Sequence, residues 1–270
     1  MHDLSALYAK AVLTAPLRRG DRLPVGEQVS EVDVDADHLA DYARVCGFGL
    51  RDELPITYPH VLSFPLSVRL MTAREFPFPL VGLVHVTNVI HRERPLLVTE
   101  RLTQRVRLAN LRPHPKGRQF DVVTETSAGG EVVWREISTY LRRGPSTSDA
   151  AAPGLEEVDA GEPTATWRVP ADTGRRYAAV SGDRNPIHLR ALPAKAFGFP
   201  RAIAHGMWSK ARCLAAFAER LPDRCAVEVA FRKPLPLPST VDFAVRAHHD
   251  GRDFALLSRS GKPHLLGAVR

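Results

Sequence analysis

The 270-residue sequence predicts an α+β protein made of two similar units, each a long helix laid against an antiparallel meander. Three observations predict it. A low-complexity break interrupts the chain near its middle, ordered anchors recur on either side of it, and alternating apolar runs are punctuated by glycine turns.

The break lies in Gly144-Pro145-Ser146-Thr147-Ser148-Asp149-Ala150-Ala151-Ala152-Pro153-Gly154, part of a stretch over 144–165 rich in Gly, Pro, Ser, Ala and acids. Such a composition buries little apolar surface and reads as a linker between units 1–143 and 166–270. Across it, Tyr42-Ala43-Arg44-Val45-Cys46-Gly47 aligns without a gap on Tyr177-Ala178-Ala179-Val180-Ser181-Gly182. His60 and His205 follow, each ahead of a helix-like run. Val84-His85-Val86 then matches Val227-Glu228-Val229, and Pro95 and Pro238 each fall 11 residues after the first valine (95 − 84 = 238 − 227). Three anchors in one order predict a duplicated domain.

The elements follow in order. In the first half Ser63 reads as the cap of a helix over 63–70, with Pro65 tolerated in its first turn. Strands are expected at 97–108, 120–127 and 131–141, the last two joined across Ala128-Gly129-Gly130. In the second half Met207, Ala211, Leu214, Ala215 and Ala218 fall at helical spacing, and Leu221-Pro222 stops the helix. Strands over 227–231, 240–249, 252–258 and 263–269 come next, with Asp250-Gly251 and Ser260-Gly261 turning between the last three. A sheet with one apolar face needs a cover, and the single long helix of each half supplies it.

Composition narrows the function classes. Apolar residues make up 44% and charged residues 25%, ordinary for a water-soluble domain. No apolar run reaches the roughly 18 residues of a membrane span. The start lacks a basic segment followed by an apolar core, so no secretory signal is expected. Cys46, Cys213 and Cys225 are too scattered for a disulfide framework or a zinc site and suit a reducing cytoplasm. The formal charge of +7 is spread along the chain without a basic run or a nucleic-acid-binding motif. That argues against nucleic acid and leaves a smaller anionic partner open. Nucleotide, P-loop, zincin and nucleophile-elbow motifs are all missing. His85 and His91 lack companions at metal spacing, and His248-His249 reads as solvated.

The informative segment is Gly182-Asp183-Arg184-Asn185-Pro186-Ile187-His188. Pro186 drives Asn185 into an extended conformation, from which Asn185 caps a short helix with Pro186 at its first position. Asp183 before this turn and His188 inside it can face one cavity, and a neutral imidazole beside a carboxylate is a competent proton shuttle. Downstream, Ile203-Ala204-His205-Gly206-Met207-Trp208 opens the long helix. Gly206 has no side chain to obstruct its N–H, one of the unpaired donors at a helix start, where an oxygen gaining negative charge would be held. Taken singly, Gly-Asp and Asn-Pro are ordinary turn chemistry, and Gly206 could serve close packing alone.

Joined in order, and with Phe197-Gly198-Phe199-Pro200 between them, these parts resemble the MaoC-like dehydratases, also known as (R)-specific enoyl-CoA hydratases or hydratase 2. The duplicated form is similar to actinobacterial 3-hydroxyacyl-thioester dehydratases. The resemblance spans essentially the whole chain. It implies a double hot-dog fold, with a degenerate first unit at 1–143 and a catalytic second unit at 166–270. It also implies a lyase that hydrates enoyl thioesters of coenzyme A or acyl carrier protein, needing no metal or other cofactor. Asp183, His188 and the Gly206 N–H would be catalytic, with Asn185, Ser181 and His205 supporting them. Phe197, Phe199, Met207 and Trp208 would meet substrate. Arg184, Arg201, Lys210 and Arg232 are candidates for the phosphates. A monomer or a homodimer would serve.

Within the repeat, Phe48 stands opposite Asp183 and Glu53 opposite His188. Gly182 to His205 is 23 positions, Gly47 to His60 only 13. One active site per chain is therefore expected. Val61, Leu62, Phe64, Leu66 and the residues 76–80 suggest that the first half accommodates a long acyl chain, so medium- to long-chain substrates are expected; a plain core under the sheet is the other reading. A hot-dog thioesterase would carry a carboxylate early on the long helix, which 206–211 lacks. A non-catalytic acyl-thioester-binding subunit is disfavoured by the intact Asp183, Asn185, His188 and Gly206.

Overall fold

The computed structural model describes residues 20–80, 82–145, 155, 158–196 and 198–270. The first half runs β1 (Glu27–Val32), α1 (Ala36–Cys46), α2 (Tyr58–Thr72), β2 (Leu83–Arg92), β3 (Leu102–His114), β4 (Gly117–Ala128) and β5 (Glu131–Arg143). The second runs β6 (Pro163–Val169), α3 (Thr173–Ser181), short helices α4 (Pro186–Leu189) and α5 (Ala191–Ala196), then α6 (Gly206–Ala215). It closes with β7 (Cys225–Phe231), β8 (Ser239–His248), β9 (Gly251–Ser258) and β10 (Pro263–Val269).

The ten strands among the described residues form one sheet in the order β1-β3-β4-β5-β2-β7-β10-β9-β8-β6. Read from either edge, each half contributes its first, third, fourth, fifth and second strand. The halves join where β2 pairs antiparallel with β7, from Thr87 opposite Ala230 to Arg92 opposite Cys225. One apolar core crosses this joint and takes in α1, α2, α3, α6 and strands of both halves. A second cluster lies between α2, β3, β4 and the segment holding Phe76 and Phe78.

Local chemistry explains the helix ends. Asp35 caps α1, its carboxylate accepting the N–H groups of Asp37 and His38. Gly47 and Gly182 end α1 and α3 in the left-handed region, at φ 84° and 73°, where a β-carbon is unfavourable. The aligned words of the two halves are thus two matching helices with matching terminations.

Four expectations need correction. Helix α2 starts at Tyr58, with Pro59 in its first turn, so Ser63 is no cap; its hydroxyl donates to His60 O, and Pro65 lies inside the helix. Residues 97–101 are not strand, and β3 begins at Leu102. Helix α6 ends at Ala215, before Ala218, which belongs to a short 3₁₀ turn. The edge strand β6 begins at Pro163, inside the stretch read as linker, of which 146–154, 156 and 157 lie outside the described residues. Each half also carries a leading strand and a preceding helix beyond the single helix expected. Among the described residues no helix is long and apolar enough to cross a membrane.

Candidate active site

Helix α3 stops at Gly182, and the chain then makes a ladder of side-chain turns. Ser181 Oγ accepts the Asp183 N–H (3.2 Å), Asp183 Oδ1 accepts the Asn185 N–H (3.1 Å), and Asn185 Oδ1 accepts the Ile187 N–H at the start of α4 (3.4 Å). Asn185 is therefore the helix cap that its place before Pro186 predicts. One turn of α4 then carries His188 back towards Asp183.

His188 Nδ1 lies 2.8 Å from the carbonyl of Ile203. A carbonyl only accepts, so Nδ1 bears the proton and the neutral ring keeps Nε2 as its basic nitrogen. Burial lowers the His188 pKa, a shift that the Asp183 charge and the Ile203 bond partly offset. His205 stacks on His188 with centroids 3.7 Å apart and gives Nε2 to Asp183 O (3.0 Å), 3.8 Å from the Asp183 carboxylate. Burial pushes its pKa down to about 3, and its Nδ1 is buried without a partner.

The backbone of His205 caps α6, and Gly206 is the first residue of that helix. A β-carbon at Gly206 would stand 3.0–3.1 Å from the Phe231 ring, so glycine here keeps both the packing and the approach to the N–H open. Asp183, His188 and Gly206 line a single chamber, together with Ser181, Asn185, Phe199, His205 and Met207. Asp183, His188 and His205 also bring one donor atom each within 4.8 Å of one another, a spacing a divalent cation could use. One nitrogen of each imidazole is already bonded to a carbonyl.

Two residues expected at the substrate do not stand with these. Trp208 gives its indole N–H to Val45 O (3.1 Å), tying α6 to α1, and does not line the chamber. Phe197 lies outside the described residues. Of the basic residues, Lys210 is fully buried and bonds Val227 O (3.0 Å) and Asn88, so it is not a phosphate contact. Arg232 lies on the chamber wall and gives a guanidinium N–H to Leu155 O; Arg184 and Arg201 are exposed.

Sequence reasoning anticipated the contribution of the first half through Phe64 and the residues 76–80, but missed the other first-half residues that reach the chamber. His60, Phe64, Met71, Leu80, Leu83, His85 and Tyr140 all reach the chamber. Of the residues suggested for an acyl chain, Phe64 and Leu80 are on its wall, whereas Val61, Leu66, Phe76 and Phe78 pack in the cores. The alignment of His60 with His205 was a usable signal for one of them. The pairing of β2 with β5, which sets His85 opposite Tyr140, left no local trace.

Comparison with known proteins identifies the family. Residues 155–257 match the model of the MaoC like domain. The 3-hydroxyacyl-thioester dehydratase X of Mycobacterium tuberculosis is 39% identical over 268 residues, 98% of this chain and 96% of that protein. The crystal structure of HtdX from the same organism matches with a TM-score of 0.82 at 38% identity, covering 91% of this chain and 99% of that one. A MaoC-like dehydratase from Phytophthora capsici, 19% identical, shares the fold with a TM-score of 0.75 over 92% of this chain and 95% of its own. The chain belongs to the MaoC-like dehydratase family.

Proposed function

We propose that this chamber hydrates trans-2-enoyl thioesters and, in reverse, dehydrates (R)-3-hydroxyacyl thioesters, as a hydro-lyase of fatty-acid metabolism. The observation that carries the mechanism is the fixed tautomer of His188, with Asp183 and the Gly206 N–H in the same chamber. The thioester carbonyl accepts the Gly206 N–H at the positive end of α6. Water sits between the Asp183 carboxylate and His188 Nε2. As its oxygen bonds to C3, the C2–C3 π pair shifts towards the thioester oxygen, whose charge the Gly206 N–H stabilises. His188 Nε2 takes the proton of that water and delivers it to C2, so one water supplies both added groups. Acid–base catalysis of this kind contributes about 10²–10⁴-fold and an oxyanion donor about 10²–10³-fold.

The repeated strand order supports reading the fold as a double hot-dog, a first unit ending near residue 143 and a second unit that begins with β6 at Pro163 rather than at 166. The site is then single in each chain, because Phe48 and Glu53 replace the aspartate and histidine in the first unit. A chain holding both units needs no second copy to complete the site. Hydration of crotonyl-CoA and dodecenoyl-CoA by the wild type, Asp183→Asn and His188→Ala tests the assignment. Turnover is expected in the wild type with a loss of about 10²-fold or more in each variant; an inactive wild type, or two fully active variants, would overturn it.

A further inference from the structure

The thioester donor Gly206 and a buried ammonium share one turn of α6. Lys210 follows Gly206 by four residues, so the two lie on one face of the helix, and both meet β7. Gly206 packs on the Phe231 ring, and Lys210 Nζ bonds the Val227 carbonyl (3.0 Å). No side chain caps the start of α6, which leaves its first N–H groups open to a ligand.

Lys210 also reaches across the joint into the first half. Its Nζ lies 3.4 Å from Asn88 O and donates to the Asn88 side-chain oxygen, on β2. The Asn88 amide in turn donates to Glu136 Oε1 (2.6 Å) and Ser138 Oγ (2.9 Å) on β5. His60 Nδ1, on α2, lies 2.9 Å from Glu136 Oε2. Burial opposes the Glu136 charge, but His60 and Asn88 outweigh it and hold the carboxyl below its ordinary value. Lys210, Asn88 and Glu136 are each at most 1% exposed.

Charges buried so deeply are a poor source of stability, since apolar side chains of the same volume often do as well or better. What they fix is position. The three N–H donors of the ammonium meet three oxygens, two on Asn88 and one on Val227, so α6 is held where β2 and β7 join.

We propose that Lys210 is a positioning residue for the thioester site: gripped by Asn88 and, behind it, Glu136, it sets how the first turn of α6 presents the Gly206 N–H to the thioester oxygen. The first half, which supplies neither Asp183 nor His188, thereby takes part in the reaction. This rests on the acyl-thioester reading above and adds a residue to that same site.

Octanoyl-CoA cannot be hydrated, so its binding reports the contact without turnover. Difference infrared spectra would follow its thioester carbonyl, isotope-labelled, when bound to the wild type and to Lys210→Met. The wild-type band is expected below that of the free ligand, and in Lys210→Met it should move part of the way back. For crotonyl-CoA, kcat should fall about tenfold with KM unchanged, a part of the roughly 10²–10³-fold that an oxyanion donor supplies. A folded Lys210→Met with the wild-type band and wild-type kcat makes the ammonium structural only and overturns the proposal. So does a rise in KM alone. Should that variant not fold, Asn88→Ala carries the test, because Lys210 keeps both backbone carbonyls and Glu136 keeps His60. The same two losses are expected there at smaller size, and their absence overturns the proposal. A wild type that shows the lowered band but does not hydrate crotonyl-CoA counts against the activity alone. A bound carbonyl at the free-ligand position overturns both the Gly206 contact and the place given to Lys210.

Discussion

The carbonyl of Ile203 decides which nitrogen of His188 does chemistry, since a proton held on Nδ1 leaves Nε2 to take one from water. Only the neutral ring can do this. Burial is the largest influence on His188 and lowers its pKa from the ordinary 6.5. The ring therefore stays competent as the pH falls through 6.5 and is lost only at the depressed value. The acidic limb of kcat/KM for crotonyl-CoA hydration should accordingly lie below pH 6.5. A profile recorded from pH 8 to pH 4.5 checks this, and a limb at or above 6.5 would contradict the role given to Nε2. Asp183, Asn185, His188 and Gly206 were legible in the sequence because turn and helix-start chemistry places them through neighbouring residues. Trp208 misled for a related reason. It adjoins Met207, but successive helix residues point about 100° apart, so Met207 reaches the chamber while Trp208 turns to Val45.

Helix α6 is fastened to the sheet by one buried ammonium. Lys210 Nζ bonds the carbonyls of Val227 (3.0 Å) and Asn88 (3.4 Å), on the strands β7 and β2 that join the halves. Burial drives its pKa down to about 7, opposed by the charge of Glu136. Lys210→Met would fill similar space and leave these acceptors, and the Asn88 side-chain oxygen, without their donor. A loss of about 2–4 kcal/mol in unfolding free energy is expected, measured by urea denaturation at pH 7. An unchanged midpoint would mean that water replaces the ammonium. The strands of the second half could be read to within about two residues because alternation and Asp-Gly and Ser-Gly turns bound them closely. The edge strands β1 and β6 could not. Both are half exposed, Glu27–Val32 and Pro163–Val169, so few apolar residues mark their inner faces. The start of α2 was hidden because Pro59 and Pro65 both suit a first helical turn, and the apolar run between them does not choose.

At the scale of the whole molecule, the neutral histidines of the chamber tie stability to pH. His85 and His205 are each held near a pKa of about 3, while in the unfolded chain they titrate near 6.5. Between those values the unfolded state binds protons that the folded state refuses, so stability falls as the pH falls, by about 1.4 kcal/mol per pH unit for each fully titrating histidine. His188, His114 and His264 are shifted in the same direction. The carboxylates with lowered pKa, Glu100, Glu136, Asp242 and Asp253, also favour the folded state at higher pH, but from ordinary values of 4.5 and 3.8 their losses come at more acid pH. Below pH 6 Lys210 is charged in both states, and the buried tyrosines and cysteines titrate above pH 8. The window from pH 6 to pH 5 thus reports the histidines. Denaturant midpoints at pH 7, 6 and 5 should show a loss of about 2–3 kcal/mol over the last unit. His85→Phe removes one of these sites and keeps the ring, so its slope in that window should be shallower by about one proton's share, whatever its stability at pH 7. A wild-type curve flat from pH 7 to pH 5 would mean that the chamber admits protons to its imidazoles without unfolding, and a proton shuttle built on a neutral His188 would then have to be redrawn.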